Sequence, residues 1–343
     1  MKNNAMKKCV IVTITVLFAL LGCRESEDTQ AKVDELIIYS GRSQNLVEPI
    51  IEQFSELTEI PVSVKYGKTG AIAGIIIEEG SKSPADIFFA QDPGGLGSVY
   101  EQLTVLPESI NNQVPEWARD KNGKWVGISG RARVVVYNTD SLTEEDLPDS
   151  IEDFTDPVWK GRIGWAPGNS SFQAMVSAMR LIWGEDRTKD WLEGIVKNEP
   201  NIYPKNTPIV DAAGKGEIDV GFVNHYYLHR FLAEKGEGFK ARNYYTRNGD
   251  PGSLILAAAA GILDTSKNKE SAERFLNFML SSTGQQYFAG QTFEFPINDK
   301  AKPSLLLPKL DELTRPEINL SDLSDVKGTQ LLLLETKALT GGN

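Results

Sequence analysis

Alternation between short apolar segments and amphipathic segments in the first part of the chain limits the fold more than any other feature. The apolar segments are 35–39, 61–66 and 85–90, and the helix-like segments are 46–58 and 72–79. Strands separated by helices predict an α/β lobe with a mainly parallel sheet. Ligand-binding groups are then expected in the loops that follow the strands, at 40–43, 67–70 and 91–95.

The chain length indicates more than one lobe, because 343 residues exceed what a single hydrophobic core usually supports. Residues 127–138 are the predicted connection into the second lobe, and the small apolar run 253–260 is the predicted hinge strand that returns from it. We predict a signal peptide at 1–22, a flexible tether at 23–34, lobe 1 at 35–130 and 256–300, lobe 2 at 131–255, and a C-terminal helical segment at 301–343 packed on lobe 2.

The N-terminus has the pattern of a secretory signal that ends in a lipobox. Three lysines precede an apolar run of 13 residues, Cys9 to Leu21, and Gly22 and Cys23 follow. That run is too short to cross a hydrocarbon core of about 30 Å as a helix. We therefore interpret Cys23 as the lipidated first residue of the mature chain, anchored on the outer face of the cytoplasmic membrane. An uncleaved anchor, or a plain signal with a chance cysteine, is the alternative.

Charge and cysteine content exclude several classes of protein. Without the three signal lysines, 33 basic residues face 47 acidic ones, a net charge of −14. This balance argues against a nucleic-acid partner and allows a cationic ligand without proving one. The sequence contains only Cys9 and Cys23, so a disulfide cannot stabilise the mature domain.

Two adjacent tyrosines, Tyr226 and Tyr227, follow an apolar strand-like run at 219–223 and open a helix-like segment at 225–235. Asn224 is the predicted N-cap of that helix. A helix N-terminus favours anions, and two phenol oxygens form a hard site for a trivalent cation. The alternative is that one tyrosine packs in the core and the other lies at the surface.

A second candidate binding element is the turn at 168–171, which opens a predicted helix at 172–183. A turn rich in Gly, Ser and Asn before a helix can bind an oxyanion, although such turns are also ordinary helix caps.

Several motifs together resemble the ferric-iron ABC-transporter substrate-binding proteins, the bacterial transferrin-like family. They are IYSGR at 38–42, EEGSKSPADIF at 78–88, SGRARVVVY at 129–137, WKGRIG at 159–164, GEID at 216–219, NHYY at 224–227 and GDPG at 249–252. The resemblance implies a two-lobed α/β fold, the type 2 periplasmic-binding-protein fold, with hinge strands between the lobes and closure on the ligand.

The same resemblance implies a ligand set for Fe(3+), in which Tyr226 and Tyr227 coordinate the metal with a synergistic anion such as carbonate, phosphate or citrate. The family's histidine position is occupied by Ser43, and its glutamate position by Gln91, with Asp92 beside it. A third tyrosine used in one branch would fall on Phe172. The candidate metal ligands are thus Tyr226, Tyr227, Asp92 and Gln91, and the candidate anion contacts are Arg42, Ser43, Arg131, Gly168, Asn169, Ser170, Ser171, Asn206 and Asn224.

The expected function is an extracytoplasmic lipoprotein that captures ferric iron and delivers it, as a monomer, to an ABC permease and its ATPase. The alternative is a protein of the same fold that binds an iron chelate, a phosphonate or another organic anion. An enzyme is not expected, since no nucleophile with a matching base and no acid–base pair of carboxylates is found. His225 and His229 have metal-ligand spacing, but we interpret them as surface or packing residues.

Overall fold

The computed structural model describes residues 35–340, so the predicted signal peptide, Cys23 and the whole of the predicted tether lie outside the described part. The helices are α1 Gln44–Thr58, α2 Thr69–Glu79, α3 Pro93–Ser98, α4 Glu108–Asn111, α5 Ser170–Trp183, α6 Glu185–Lys197, α7 Asn206–Lys215, α8 Tyr226–Lys235, α9 Lys269–Met279, α10 Ser282–Gln291 and α11 Val326–Glu335. The strands are β1 Leu36–Ser40, β2 Val62–Tyr66, β3 Ile87–Ala90, β4 Val126–Asn138, β5 Ile163–Trp165, β6 Asn201–Ile202, β7 Val220–Asn224, β8 Ala241–Tyr244, β9 Ile255–Ile262 and β10 Phe295–Pro296.

The strands pair in the order β2-β1-β3-β9-β4-β7-β5-β6, and β8 and β10 also pair with β4. Strands β1, β2 and β3 are parallel, as the alternation of strands and helices predicts, whereas β9 is antiparallel to both β3 and β4. The α/β fold class is therefore confirmed, and the sheet of the first region is mixed rather than uniformly parallel.

Strand β4 joins two regions of the fold because its two halves pair with different strands. Residues up to Ala132 pair with β9 and β10, and residues from Arg133 onward pair with β7 and β8. All 13 residues of β4 are buried. The crossing between the two regions therefore falls between Ala132 and Arg133, and polar side chains at this point must find partners inside the protein.

Buried apolar side chains form one cluster in the first region and two clusters on the faces of the second. Helix α1 contributes to the first cluster through Leu46, Ile50 and Phe54, which recur every four residues on one face. Phe172 of α5 and Phe222 of β7 both belong to the second cluster. This packing places the start of α5 and the end of β7 next to each other at the edge of the second region.

The C-terminal segment contacts both regions rather than the second alone. Leu332 and Leu333 of α11 pack in the cluster of the second region, whereas Leu320 and Leu323 pack in that of the first. No helix within residues 35–340 is both long and apolar enough to cross a bilayer.

Candidate metal and anion site

The two tyrosines lie side by side at the start of α8, where the chain leaves β7. Their rings stack with centroids 4.3 Å apart and an interplanar angle of 29°. Tyr226 is buried, and the side chain of Tyr227 is partly exposed. Burial and the neighbouring phenol raise the pKa of Tyr227, and the charges of Arg42 and Arg131 only partly lower it. Tyr227 is therefore a neutral phenol near pH 7 unless a cation displaces its proton.

The predicted cap at Asn224 is wrong, because Asn224 is the last residue of β7 and His225 stands at the N-cap position without a side-chain cap bond. The Asn224 amide instead accepts a hydrogen bond from Arg133 at 3.0 Å and donates one to Ser171 Oγ at 3.2 Å. The Asn224 side chain is therefore not used as a helix cap and lies among the other buried candidate residues, in contact with Arg133 and Ser171.

His225 and His229 are packing residues. The Ala132 N–H donates to His225 Nδ1 at 3.0 Å, so Nε2 carries the proton and donates to the Phe293 carbonyl at 2.7 Å. Burial lowers the pKa of His225 to about 3 and that of His229 to about 4, and the His229 ring stacks on Phe293 at 5.4 Å. His225 therefore fixes the start of α8 against β4 as a neutral ring.

Three buried arginines surround the phenols. Arg42 forms an ion pair with Glu294, and Arg131 donates to Ser171 Oγ at 3.2 Å and to the carbonyl of Gln91. Burial alone lowers the pKa of Arg42, but the Glu294 carboxylate and both phenols give it a net increase. Guanidinium groups in this number make the site strongly attractive to an anion.

Arg133 is the least satisfied of the three arginines, and like Arg131 it has no ion pair with a carboxylate among the described residues. It is 1% exposed, its one hydrogen bond goes to Asn224, and its Nε and Nη2 atoms are buried without partners. Burial and the charge of Arg131 lower the pKa of Arg133 to about 9. A buried charge in this state is unfavourable unless a counter-ion binds. Sequence reasoning missed Arg133, although residues two apart on a strand point to the same face and Arg131 was already a candidate.

Of the residues in the turn at 168–171, Ser171 makes most of the hydrogen bonds to the other candidate site residues. Asn169 Oδ1 accepts from the Ser171 N–H at 3.0 Å, which is an ordinary cap of α5, and Gly168 is exposed. The buried Ser171 hydroxyl accepts from Gln91 Nε2 at 2.8 Å, and from Arg131 and Asn224. Ser171 therefore connects the loop after β3 with the start of α5.

Asn206 is fully buried as the first residue of α7, and both its amide oxygen and its amide nitrogen lack partners. An unpaired buried polar group costs about 1–3 kcal/mol, so the side chain is suited to a ligand that supplies the missing bonds.

The remaining candidates divide into buried and exposed groups. Asp92 is buried; burial raises its carboxyl pKa, and Arg131 and the Ser170 hydroxyl only partly lower it. Its Oδ2 atom has no partner. Ser43 is exposed at the N-cap position of α1, so the structure does not bring it into the buried cluster.

Glu294 is a further buried member that sequence reasoning missed. It pairs with Arg42 and accepts a hydrogen bond from the Ser129 hydroxyl. No local pattern signals this role, because its partner lies 252 residues away. Within residues 35–340, no cluster of three His, Cys, Asp or Glu side chains could bind a metal. A metal at this site would therefore depend on the phenols and on an anion.

Comparisons with known proteins show what this chain is similar to. Residues 83–316 match the family described as "Bacterial extracellular solute-binding protein". The chain is 34% identical to the major ferric iron-binding protein of Neisseria meningitidis over 93% of this chain and 97% of that protein. It is similar to the crystal structure of iron-bound HitA from Pseudomonas aeruginosa, with a TM-score of 0.84 and 32% identity over 88% of this chain and 99% of that one. A Trichodesmium protein, IdiA or FutA, in complex with iron and citrate aligns over the same shares with a TM-score of 0.77 and 25% identity.

Proposed function

Because this chain belongs to the bacterial extracellular solute-binding protein family, and is not an enzyme, we propose that it captures ferric iron between Tyr226 and Tyr227 with a synergistic anion. The names of its relatives support iron as the cargo. The stacked phenol pair supports the choice of ligands, since phenolate oxygens are hard donors that suit a trivalent cation.

The observation that carries the proposal is the charge of the buried groups around the phenols. Three guanidinium groups face two carboxylates, Glu294 and Asp92, which leaves one positive charge. Ferric iron on two phenolates adds one more. A dianion such as carbonate or hydrogen phosphate would neutralise both, whereas iron alone would enter a site that is already positive.

The anion has suitable partners on the side of the second region. Asn206 offers an amide without partners, and Arg133 offers two unpaired nitrogens. Ser171 and Asn224 are already oriented by hydrogen bonds to each other. Asp92 Oδ2 is the carboxylate oxygen that we propose as a further metal ligand, because the side chain of Gln91 is engaged with Ser171. Arg42 would contribute from the first region, whereas Ser43 is exposed at the N-cap of α1 and is left out of the proposed anion contacts.

The family match supports delivery to an ABC permease and its ATPase as part of the proposal, and the lipobox-like sequence at Cys23 supports a lipid anchor outside the cytoplasmic membrane. A second candidate function is binding of an iron chelate or of an organic anion such as a phosphonate, with the phenols lining the pocket. The unpaired guanidinium of Arg133 is the observation that favours it.

Titration of the iron-free protein with freshly prepared ferric chloride, with and without carbonate or phosphate as the added anion, tests the proposal, because a chelate such as nitrilotriacetate would itself supply carboxylates. We expect a visible tyrosinate-to-iron charge-transfer band at one iron per protein, only when an anion is present. Metal analysis of protein purified with and without iron gives the stoichiometry. Calorimetric binding of phosphate or a phosphonate with no visible band on iron addition would refute metal coordination and favour the second function.

A further inference from the structure

We propose that Glu294 is a specificity-determining residue: by pairing with Arg42 it neutralises one of the three guanidinium groups, so that the site favours iron together with an anion over an anion alone. This inference rests on the proposed function and assigns its selectivity to a residue outside the metal ligands.

The contacts of Glu294 place it beneath the site. One carboxylate oxygen pairs with an Arg42 nitrogen, and the other accepts a hydrogen bond from the Ser129 hydroxyl. Glu294 is 0% exposed and Arg42 is 1% exposed, so solvent cannot screen the pair. Arg42 also interacts electrostatically with both phenols. Glu294 lies next to Phe293, whose carbonyl accepts a hydrogen bond from His225, the residue before Tyr226. The carboxylate thus acts on the ligand through Arg42.

The backbone around Glu294 fixes this arrangement. Phe293 has φ of 55°, a left-handed conformation that a bulky residue rarely adopts, and its carbonyl accepts the His225 Nε2 proton at 2.7 Å. Phe295 pairs with Gly130 of β4. The residues on both sides of Glu294 are therefore fixed, Phe293 by His225 and Phe295 by β4. Strand β4 also carries Arg131 and Arg133.

The consequence for selectivity follows from charge. Arg131 and Arg133 both contact neutral partners directly, and Glu294 compensates only Arg42. Without the Glu294 charge, a buried positive charge would be added next to the phenols. The site should then bind an anion more tightly and a trivalent cation more weakly, because the same added charge attracts one and repels the other.

The test compares Glu294→Gln, Glu294→Asp and Asp86→Asn in the full mature chain. Phosphate affinity of the iron-free protein is measured by calorimetry, and ferric iron affinity by competition with nitrilotriacetate at fixed carbonate. For Glu294→Gln we expect phosphate to bind about tenfold more tightly and iron about tenfold more weakly. Glu294→Asp keeps the charge and should restore both affinities to near wild type.

Asp86→Asn is the matched control, because Asp86 is also a buried carboxylate but accepts its hydrogen bonds from neutral groups. Asp86 directly precedes β3, so it lies at the opposite end of that strand from Gln91. It should change neither affinity. If Glu294→Gln does not fold, Arg133→Met tests the same charge balance with the opposite sign, and should weaken phosphate binding.

The role of Glu294 would be overturned if the wild-type protein binds iron but Glu294→Gln changes the iron and phosphate affinities in the same direction, or changes neither. Wild-type protein that binds no iron would instead contradict the proposed function, so the two failures are distinguishable.

Discussion

Replacing Arg133 by methionine is expected to stabilise the ligand-free protein and to weaken anion binding at the same time. Methionine keeps an unbranched apolar stem and removes a buried charge that has no carboxylate partner. A structural arginine would show the reverse, because its loss would leave partners unsatisfied without any compensating gain.

The magnitude follows from the change in pKa. A decrease from 12.5 to about 9 corresponds to about 5 kcal/mol of unfavourable free energy for the charged group in the folded protein. The substitution also leaves Asn224 Oδ1 without its donor, which costs about 1–3 kcal/mol. We expect a net gain of about 2 kcal/mol in the free energy of unfolding, or a rise of about 3 °C in Tm.

The pH dependence has a defined sign. Below pH 9 the wild type carries the charged guanidinium in both states, and the folded state bears its cost. Between pH 9 and 12.5 the unfolded chain binds more protons than the folded one, so wild-type stability should rise with pH. The advantage of Arg133→Met should therefore be smaller at pH 10 than at pH 8.

Thermal and urea unfolding with and without phosphate measure both effects. At phosphate a hundredfold above Kd, the wild type should gain about 2.7 kcal/mol, and Arg133→Met should gain far less. Arg162→Met is the control, since Arg162 pairs with Asp219 at 2.5 Å and its removal should not stabilise the protein. Lower stability of Arg133→Met, or an undiminished response to phosphate, would refute the reasoning.

Three further predictions concern the ligands and the anchor. Tyr226→Phe and Tyr227→Phe should each weaken iron binding by at least about a hundredfold with little change in Tm, because each removes a hard oxygen ligand and keeps the ring. Tyr245→Phe is the control. Wild-type iron affinity in both Tyr226→Phe and Tyr227→Phe would contradict coordination by the phenols. Removal of carbonate, phosphate and citrate should lower iron affinity and leave the protein open in small-angle scattering. Asp92→Ala should also lower iron affinity, by a smaller factor. Unchanged iron binding in both tests would contradict the proposed roles of the anion and of Asp92. Cys23→Ala should release the mature protein from membranes on fractionation, and a variant that stays bound would refute lipidation there.

Local patterns predicted most of the elements but not how distant strands pair. The alternation of strands and helices at 35–95 is encoded in neighbouring residues, and β1 to β3, α1 and α2 follow it, whereas α3 begins at Pro93 inside the predicted loop at 91–95. The insertion of β9 between β3 and β4 depends on residues more than 120 positions apart, and a small apolar run does not specify its partner.

The candidate site shows the same division. Tyr226, Tyr227 and Asn206 became candidates because they stand in recognisable motifs or at matching positions. Arg133 could have been found from its strand spacing to Arg131. Glu294 could not, because its role depends on Arg42 at the other end of the chain.

The separation of Arg42 and Glu294 also determines when binding becomes possible during folding. Their pairing closes a loop of 252 residues, and long-range pairings of this kind form late because chain entropy opposes them until much of the structure is in place. A chain that emerges from a translocon N-terminus first would expose the three arginines and both phenols before Glu294, the partner of Arg42, has emerged. We expect such intermediates to bind neither iron nor anion well, so that only fully folded molecules carry cargo.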